Sequence, residues 1–415
     1  MMRQTYAVDG ETSVPKPTIV YLDSNDYSTL SESALDERSE GLRSRLKALR
    51  SLPDVTFAFS AAHISEMAPV QDQYAEAGVR RTSLLVDLCG RNAMISFDRL
   101  IKAELTNLVS KGSEPVQAVD TNGEWFPDFG SLITPVDALD IAGIVNKTAQ
   151  ESNLNRQARR ALKRQMINKD GSLRSTLDQM LQQDNIAQAL EQFPMRDADA
   201  RILMQYVAGS ATRAQANTAF LESLRDPSFM ARWFINHHAK LGAVGAWVRD
   251  PAQKLINTLQ ATLAEWHTRL AGLDDENRRD ALQFFNGTKW ARTVDENLLG
   301  TANRLLGEIL PTAGVCNDVR QVEKYCPGLT IGIRTLYESL RRSTGDSPRK
   351  LMNSDFVDAV HAMYVPYVSM FRADKYMASI IAPLAKPCGT AVYSKISQLV
   401  EALEAIPVDE RTARP

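Results

Sequence analysis

The chain has 415 residues, 44% of them hydrophobic, and a formal charge of −2 from 48 basic and 50 acidic side chains. That is enough apolar material for two or three folded domains, and the balanced charge argues against a uniformly basic nucleic-acid coat while leaving local basic patches open. The four cysteines, Cys89, Cys316, Cys326 and Cys388, are scattered without a CxxC pair, which fits reduced thiols of the cytoplasm better than a disulfide framework or a zinc site.

Residues 1–16 are polar, lack an apolar leader core and are expected to be extended or disordered. No later run approaches the roughly 20 apolar residues of a membrane span, so a soluble cytoplasmic protein with no membrane partner is expected. The stretch PTIVYLDSNDYSTL predicts a buried parallel strand from Pro17 to Leu22 that runs straight into Asp23. Helical spacing follows from Tyr27 to about Arg50. An Asp after a strand is also a common turn former and helix cap, so Asp23 alone identifies nothing. VTFAFS, Val55 to Ser60, predicts a second strand. It leads into the short helix AAHISEM, with Ser60 as N-cap, and then a longer helix to Gly90. This order is that of an α/β domain, whose functional residues gather at the carboxyl ends of its strands.

After about Leu105 the alternation stops for more than two hundred residues. Segments such as SNLNRQARRALKRQMI and PAQKLINTLQATLAEWHTRLAG have helical periodicity, and all five tryptophans, Trp125, Trp233, Trp247, Trp266 and Trp290, are expected to fill the core of this block. Strand signals return after RRSTGDSPRK: a helix SDFVDAVHAMY, a strand YVSMFRA ending at Asp374, a helix DKYMASIIAPLA, a short strand TAVY and a last helix KISQLVEAL. The expected organisation is one discontinuous α/β domain, 17–105 with 346–406, interrupted by an all-α insertion at 106–345 and followed by a tail at 407–415.

The two ends of the chain thus place Asp23 and Asp374 after strands, and Glu66 and Asp355 in early helical turns. Asp355, Asp358 and His361 share one helical face at three-residue spacing. Carboxylates gathered in a partly dry cleft repel each other unless a cation neutralises them, and hard oxygen ligands favour Mg²⁺ or Mn²⁺.

This arrangement resembles the PIN-domain superfamily of metal-dependent nucleases. VYLDSND, with Asp23, Ser24 and Asn25, is similar to its first motif; FAFSAAHISEM, with Glu66, to its second; SDFVDAVHAMY, with Asp355 and as second candidate Asp358, to its third; and YVSMFRADKY, with Asp374, to its fourth. The resemblance covers about Pro17 to Leu100 and Asp346 to Ile406. It implies a three-layer PIN-like sandwich around a parallel sheet and a metal-dependent phosphodiesterase, most simply an endoribonuclease, with Asp23, Glu66, Asp355 and Asp374 as metal ligands and Asp358 in the catalytic set. RNA is the implied partner, with DNA as an alternative. A toxin or phage-defence role follows from association with the family alone.

Ser24 and Asn25 are read first as turn residues, with orientation of a carboxylate or a water as their functional alternative. His63 and His361, each three residues from a carboxylate, are assigned to support of the ligands; a di-iron bundle is disfavoured because Asp23 and Glu66 follow strands. Arg341, Arg342, Arg349 and Lys350, just before Asp355, are candidate phosphate contacts. The spread cations Arg156, Arg159, Arg160, Lys163 and Arg164 read equally well as a solvated face. Arg372 is a candidate phosphate clamp or an outward-pointing residue; permanent pairing with Asp374 would weaken metal binding and favour an inactive relative. The alternative function is an inactive PIN-like RNA-binding or scaffolding protein. The helical insert is expected to select the RNA or to dock a protein partner or a second copy of the chain.

Overall fold

A computed structural model describes residues 17–67, 72–112, 114–127, 195–207, 210–230, 264–344 and 352–406. The expected N-terminal segment 1–16 and tail 407–415 lie outside these residues. The first part runs β1 (Thr18–Tyr21), α1 (Ser24–Leu30), α2 (Glu37–Arg50), β2 (Val55–Ala58), α3 (Ala61–Met67), α4 (Ala75–Cys89), β3 (Ala93–Met94), α5 (Phe97–Ser110) and β4 (Val119–Asp120). Next come α6 (Asp197–Val207), α7 (Arg213–Leu224), α8 (Asp275–Asn286), α9 (Thr288–Ile309), α10 (Val319–Tyr325) and α11 (Pro327–Arg342). The last part is α12 (Asn353–Ala362), β5 (Met370–Arg372), α13 (Lys375–Ala385), β6 (Ala391–Tyr393) and α14 (Ile396–Glu404). None of the described helices is long and apolar enough to cross a membrane.

The fold is mixed α/β around a four-stranded parallel sheet in the order β2-β1-β5-β6. Strand β1 pairs with β2 along its length, and on its other side Val20 and Tyr21 pair with Met370 and Phe371, so the sheet joins the two ends of the chain. Successive strand side chains point to opposite faces. Val20, Phe57 and Met370 accordingly enter one apolar cluster with α1, α2, α4 and α14, while Tyr21, Ala58 and Phe371 enter a second with α12 and α13. Both faces are dry, which is why TIVY and VTFA read as near-continuous apolar runs. A parallel bridge from Phe59 to Ala93 prolongs the β2 edge, and β3 pairs antiparallel with β4.

The described residues of the span expected as a helical insertion pack against this unit. Its proposed boundary at 105/106 falls inside α5, and the span contributes strand β4 as well as helices. Trp125 is buried in the cluster that holds Val20 and Phe57, its indole N–H donating to Leu224 O at 2.9 Å, and Leu203, Ala216 and Phe220 from α6 and α7 belong to the same cluster. Leu105 and Leu108 of α5 pack with Leu298, Ala302 and Leu306 of α9 and with Leu329 of α11. Trp266 and Trp290 instead meet Phe285 in an aromatic group. Trp233 and Trp247 lie outside the described residues. All four cysteines are free thiols, as their spacing predicts.

One contact fixes how α11 enters the structure. Pro327 opens the helix, and the buried Glu104 carboxylate of α5 accepts the Gly328 and Leu329 N–H groups at 2.6 and 2.9 Å together with the Tyr367 hydroxyl. These are donors that a helix start otherwise leaves without partners. Burial, working against these three donors, pushes Glu104 up to about 7. Gly328 and Gly332 let α11 lie close against the α12 end: a Cβ at Gly328 would stand 2.5 Å from Met363 O, and one at Gly332 2.6 Å from Met363 Cγ. Since α12 carries Asp355 and Asp358, this packing sets where those side chains stand. Gly328→Ala relieves a helix penalty of about 1 kcal/mol, yet it should lower stability by about 1–3 kcal/mol because the backbone must shift. Chemical denaturation measures the change, and a variant as stable as the parent would refute the close-packing account.

Candidate functional site

The site begins where β1 ends. Asp23 leaves the strand in an extended conformation and caps α1, its Oδ1 accepting the Asn25 N–H at 2.8 Å, while Asp26 returns Oδ2 to the Asp23 N–H at 3.2 Å. The cap and the site use the same carboxylate, because Asp23 Oδ2 also accepts the Asp374 N–H at 3.0 Å. Asp374 in turn caps α13, its Oδ1 accepting from Met377 N at 2.7 Å. Adjacent parallel strands β1 and β5 thus deliver two acids to one sheet edge, at their carboxyl ends.

Glu66 approaches from α3. Its Oε2 accepts the Ser24 hydroxyl and faces His361 Nε2 at 3.0 Å, so Ser24 holds a carboxylate in addition to opening the helix. Behind His361 a buried chain continues: His361 Nδ1 to Tyr21 OH at 2.6 Å and Tyr21 OH to Ser60 Oγ at 2.6 Å. The Ser60 N–H donates to His63 Nδ1 at 3.0 Å, so that nitrogen is bare and Nε2–H donates to Leu22 O at 2.9 Å. Burial, reinforced by the neighbouring His361, pushes His63 down to about 3 and keeps it neutral. For His361, burial opposes the charged ring, but the hydrogen bond and charge of Glu66, with Asp358 and Asp23 beyond, raise it overall. Glu66 is lowered: burial pulls it upward, and the His361 and Ser24 contacts outweigh that pull.

The two acids of α12 divide their work. Asp355 is fully buried in the first turn and turns back, its Oδ2 accepting from Met352 N at 2.6 Å. Asp358, one turn on, is the acid coupled to the others: burial pushes its carboxyl up to about 8, and Glu66, Asp23 and Asp374 add to this against the pull of His361. The resemblance favours Asp355 as the third carboxylate; in the structure Asp355 accepts from Met352 N at the helix start, while the charges of Glu66, Asp23 and Asp374 act on Asp358.

Two participants escaped the reading of the sequence, Asp26 and Tyr21. Asp26 is buried and pairs with Arg372 Nη2 at 2.8 Å; burial, offset by Arg372 and increased by Asp23, pushes it up to about 7. Its signal was present as an acid three residues after the cap, the spacing of a capping box. Tyr21 looked like one more strand residue. Arg372 pairs with Asp26 and stands with Nη1 3.7 Å from Asp23 Oδ2. It is only 8% exposed, which makes it part of the wall behind Asp23. Asn25 is exposed and contributes its backbone N–H to the cap.

The remaining cations stand elsewhere. Arg341 is held by Glu338 at 2.7 Å through two nitrogens and by Asn286 at 2.7 Å. Arg342 reaches Glu338 at 3.0 Å and Ser379 Oγ at 2.6 Å. Its Nη2 also lies 3.4 Å from Ser379 O, the carbonyl that Pro383 inside α13 deprives of its helical donor. Arg349, Lys350 and the group Arg156, Arg159, Arg160, Lys163 and Arg164 lie outside the described residues.

As a donor set, Asp23, Glu66, Asp358 and Asp374 offer the hard carboxylate oxygens that a divalent cation such as Mg²⁺ or Mn²⁺ takes. Their spacing does not by itself enclose an ion: among the described residues no three His, Cys, Asp or Glu side chains are grouped tightly enough to do so. The chain matches no protein-family model, no curated protein and no solved structure.

The Asp358 shift has a consequence for stability. The folded state keeps its proton from the ordinary carboxylate range up to about pH 8, whereas the unfolded chain releases it near 4, so this group's contribution declines as pH rises across that window. In the absence of divalent metal, the melting temperature of Asp358→Asn relative to wild type should therefore climb between pH 5 and pH 8.5, by at least about 3 °C. Parallel melting curves across that range would remove Asp358 from the coupled cluster.

Proposed function

We propose that the chain is a divalent-metal-dependent phosphodiesterase of PIN-like type acting on RNA, with the α/β unit as its three-layer nuclease domain. The observation that carries this reading is the shared acidic edge: Asp23 and Asp374 linked across β1 and β5, with Asp358 electrostatically coupled to both and to Glu66. The order of the four sequence motifs, and the sheet built from both chain ends, support it. The choice of RNA over DNA rests on the family resemblance alone.

In this reading Asp23, Glu66, Asp358 and Asp374 hold the cation, which when bound lowers the pKa of a water and offsets charge on the phosphate. The other side chains position these four. Ser24 and His361 fix the Glu66 carboxylate, with Tyr21 holding the far side of the imidazole. Asp26 and the backbone of Asn25 fix the turn that presents Asp23, and Asp355 secures the start of the helix that presents Asp358. Arg372 offsets part of the charge at Asp23 and Asp26 from behind.

A second reading, an inactive RNA-binding or scaffolding relative, is favoured by the open spacing of the acids and by the nearness of Arg372 to Asp23. The two separate in one assay. Purified protein with Mn²⁺ or Mg²⁺ should cleave single-stranded RNA, chelation should stop cleavage, and Asp23→Asn should reduce the rate at least about a hundredfold while RNA binding persists, because metal and positioning each contribute several kcal/mol. Cleavage by Asp23→Asn at the wild-type rate sinks the metal mechanism. RNA binding by the wild type with no cleavage under either metal selects the scaffold.

A further inference from the structure

A cleft of about 370 Å³ opens between α9, α11 and α13, away from the acidic edge. We propose that it is a subsite for one nucleotide of a single-stranded RNA, the base stacking on Trp290 and the phosphate drawn to Arg342. This rests on the nuclease reading and extends it to the strand beside the cleaved bond.

Size and lining both point to this ligand. The volume lies at the small end of the roughly 300–1,000 Å³ typical of ligand sites. Trp290 is half-buried and braced, its ring 4.9 Å from Phe285 and 6.0 Å from Phe284, while Tyr337 stands 5.8 Å away on the adjacent wall at an interplanar angle of 53°. A braced aromatic plane loses little freedom when a base stacks on it. Ile380 and Leu384 supply the apolar opposite wall.

The cations of the lining say where a ligand's charge belongs. Arg334 is answered by both Asp295 and Glu323. Glu338 is shared by Arg341 and Arg342, so these two cations have one carboxylate between them. Of these, Arg342 lines the cleft, its guanidinium fixed by Glu338 and Ser379 and lying over Tyr376 at 5.4 Å. An apolar floor beside one fixed cation suits a base with its phosphate.

Position ties the cleft to the acidic edge. Ser379, Ile380 and Leu384 lie on α13, the helix capped by Asp374. At 1.5 Å per residue they stand about 8 to 15 Å along the helix from that cap, a span that a short stretch of single strand covers. A free nucleotide offers the same chemistry. This common support is the reason to assign the cleft to a nucleotide within the chain.

The test uses the full chain in EDTA with a short fluorescein-labelled single-stranded RNA of mixed sequence, read by anisotropy. Trp290→Ala should weaken binding about tenfold or more, the scale of one lost stacking contact, while Trp290→Phe stays close to wild type. Arg342→Gln should flatten the log–log salt dependence by about 0.7, one phosphate contact to a single strand. RNA carrying 4-thiouridine should photocrosslink to wild-type protein at Trp290 or Tyr337, a readout that does not depend on the variants folding. Equal affinity of folded Trp290→Ala and wild type, or crosslinks confined to other regions, overturns the subsite. Displacement of the RNA by AMP at the affinity of the whole oligonucleotide also overturns it, assigning the cleft to a free nucleotide. If those negative results come with normal Mn²⁺-dependent cleavage, only the subsite falls. Trp290-dependent binding without cleavage under any divalent metal removes only the nuclease reading, and absence of RNA binding by the wild type removes both.

Discussion

The parallel pairing of Val20 and Tyr21 with Met370 and Phe371 is the contact on which the rest depends. It joins residues 350 positions apart, and the entropy of closing so long a loop grows only with the logarithm of its length, so burial of two apolar faces can outweigh it. Once β1 and β5 are adjacent, no further device is needed to bring Asp23 beside Asp374. Each stands two residues past the end of its strand, and each becomes the cap of the helix that follows. Capping fixes the direction of a carboxylate cheaply, because the N–H groups of the helix start need an acceptor in any case.

The second layer of order is electrostatic. Beneath the acidic edge, Glu66, His361, Tyr21, Ser60 and His63 form a continuous buried hydrogen-bonded chain ending on Leu22 O. Such networks hold one geometry when every member has a partner and become costly when one is lost. The chain also assigns roles to two histidines that sequence alone treated alike. His63 takes a backbone donor on one nitrogen and gives to a backbone acceptor on the other, which makes it a strut. His361 touches a carboxylate and is drawn toward the charged form.

Much of this was legible beforehand. The strands at 17–22 and 55–60, the helix on Glu66 and the strand before Asp374 follow from apolar runs that end on acids, because a sheet buried on both faces leaves that mark. Spacing alone does not separate Asp355 from Asp358: residues three apart on one helix share a face, and the bond from Met352 N to Asp355 is seen only in three dimensions. The sequence also did not reveal that described parts of 106–345 pack into the α/β core. Helical periodicity reports that a face is apolar and leaves open what covers it, so the Trp125 contact with α7 and the Glu104 clasp on α11 could be found only in three dimensions. Arg372 was conspicuous as a cation near acids, but its partner, Asp26, was hidden as an ordinary cap residue.

Charge balance is the last link between fold and chemistry. Five carboxylates, Asp23, Asp26, Glu66, Asp358 and Asp374, meet two cationic groups, Arg372 and His361 in its charged form. Arg372 answers Asp26 and His361 faces Glu66, while Asp23 and Asp374 are joined through a backbone N–H across β1 and β5. In the proposed metal-dependent reading, a proton on the raised Asp358 carboxyl would compete with the cation, because metal ligation requires a deprotonated carboxylate. Arg372, 2.8 Å from Asp26 and 3.7 Å from Asp23, is the nearer counter-ion of the supporting acid Asp26.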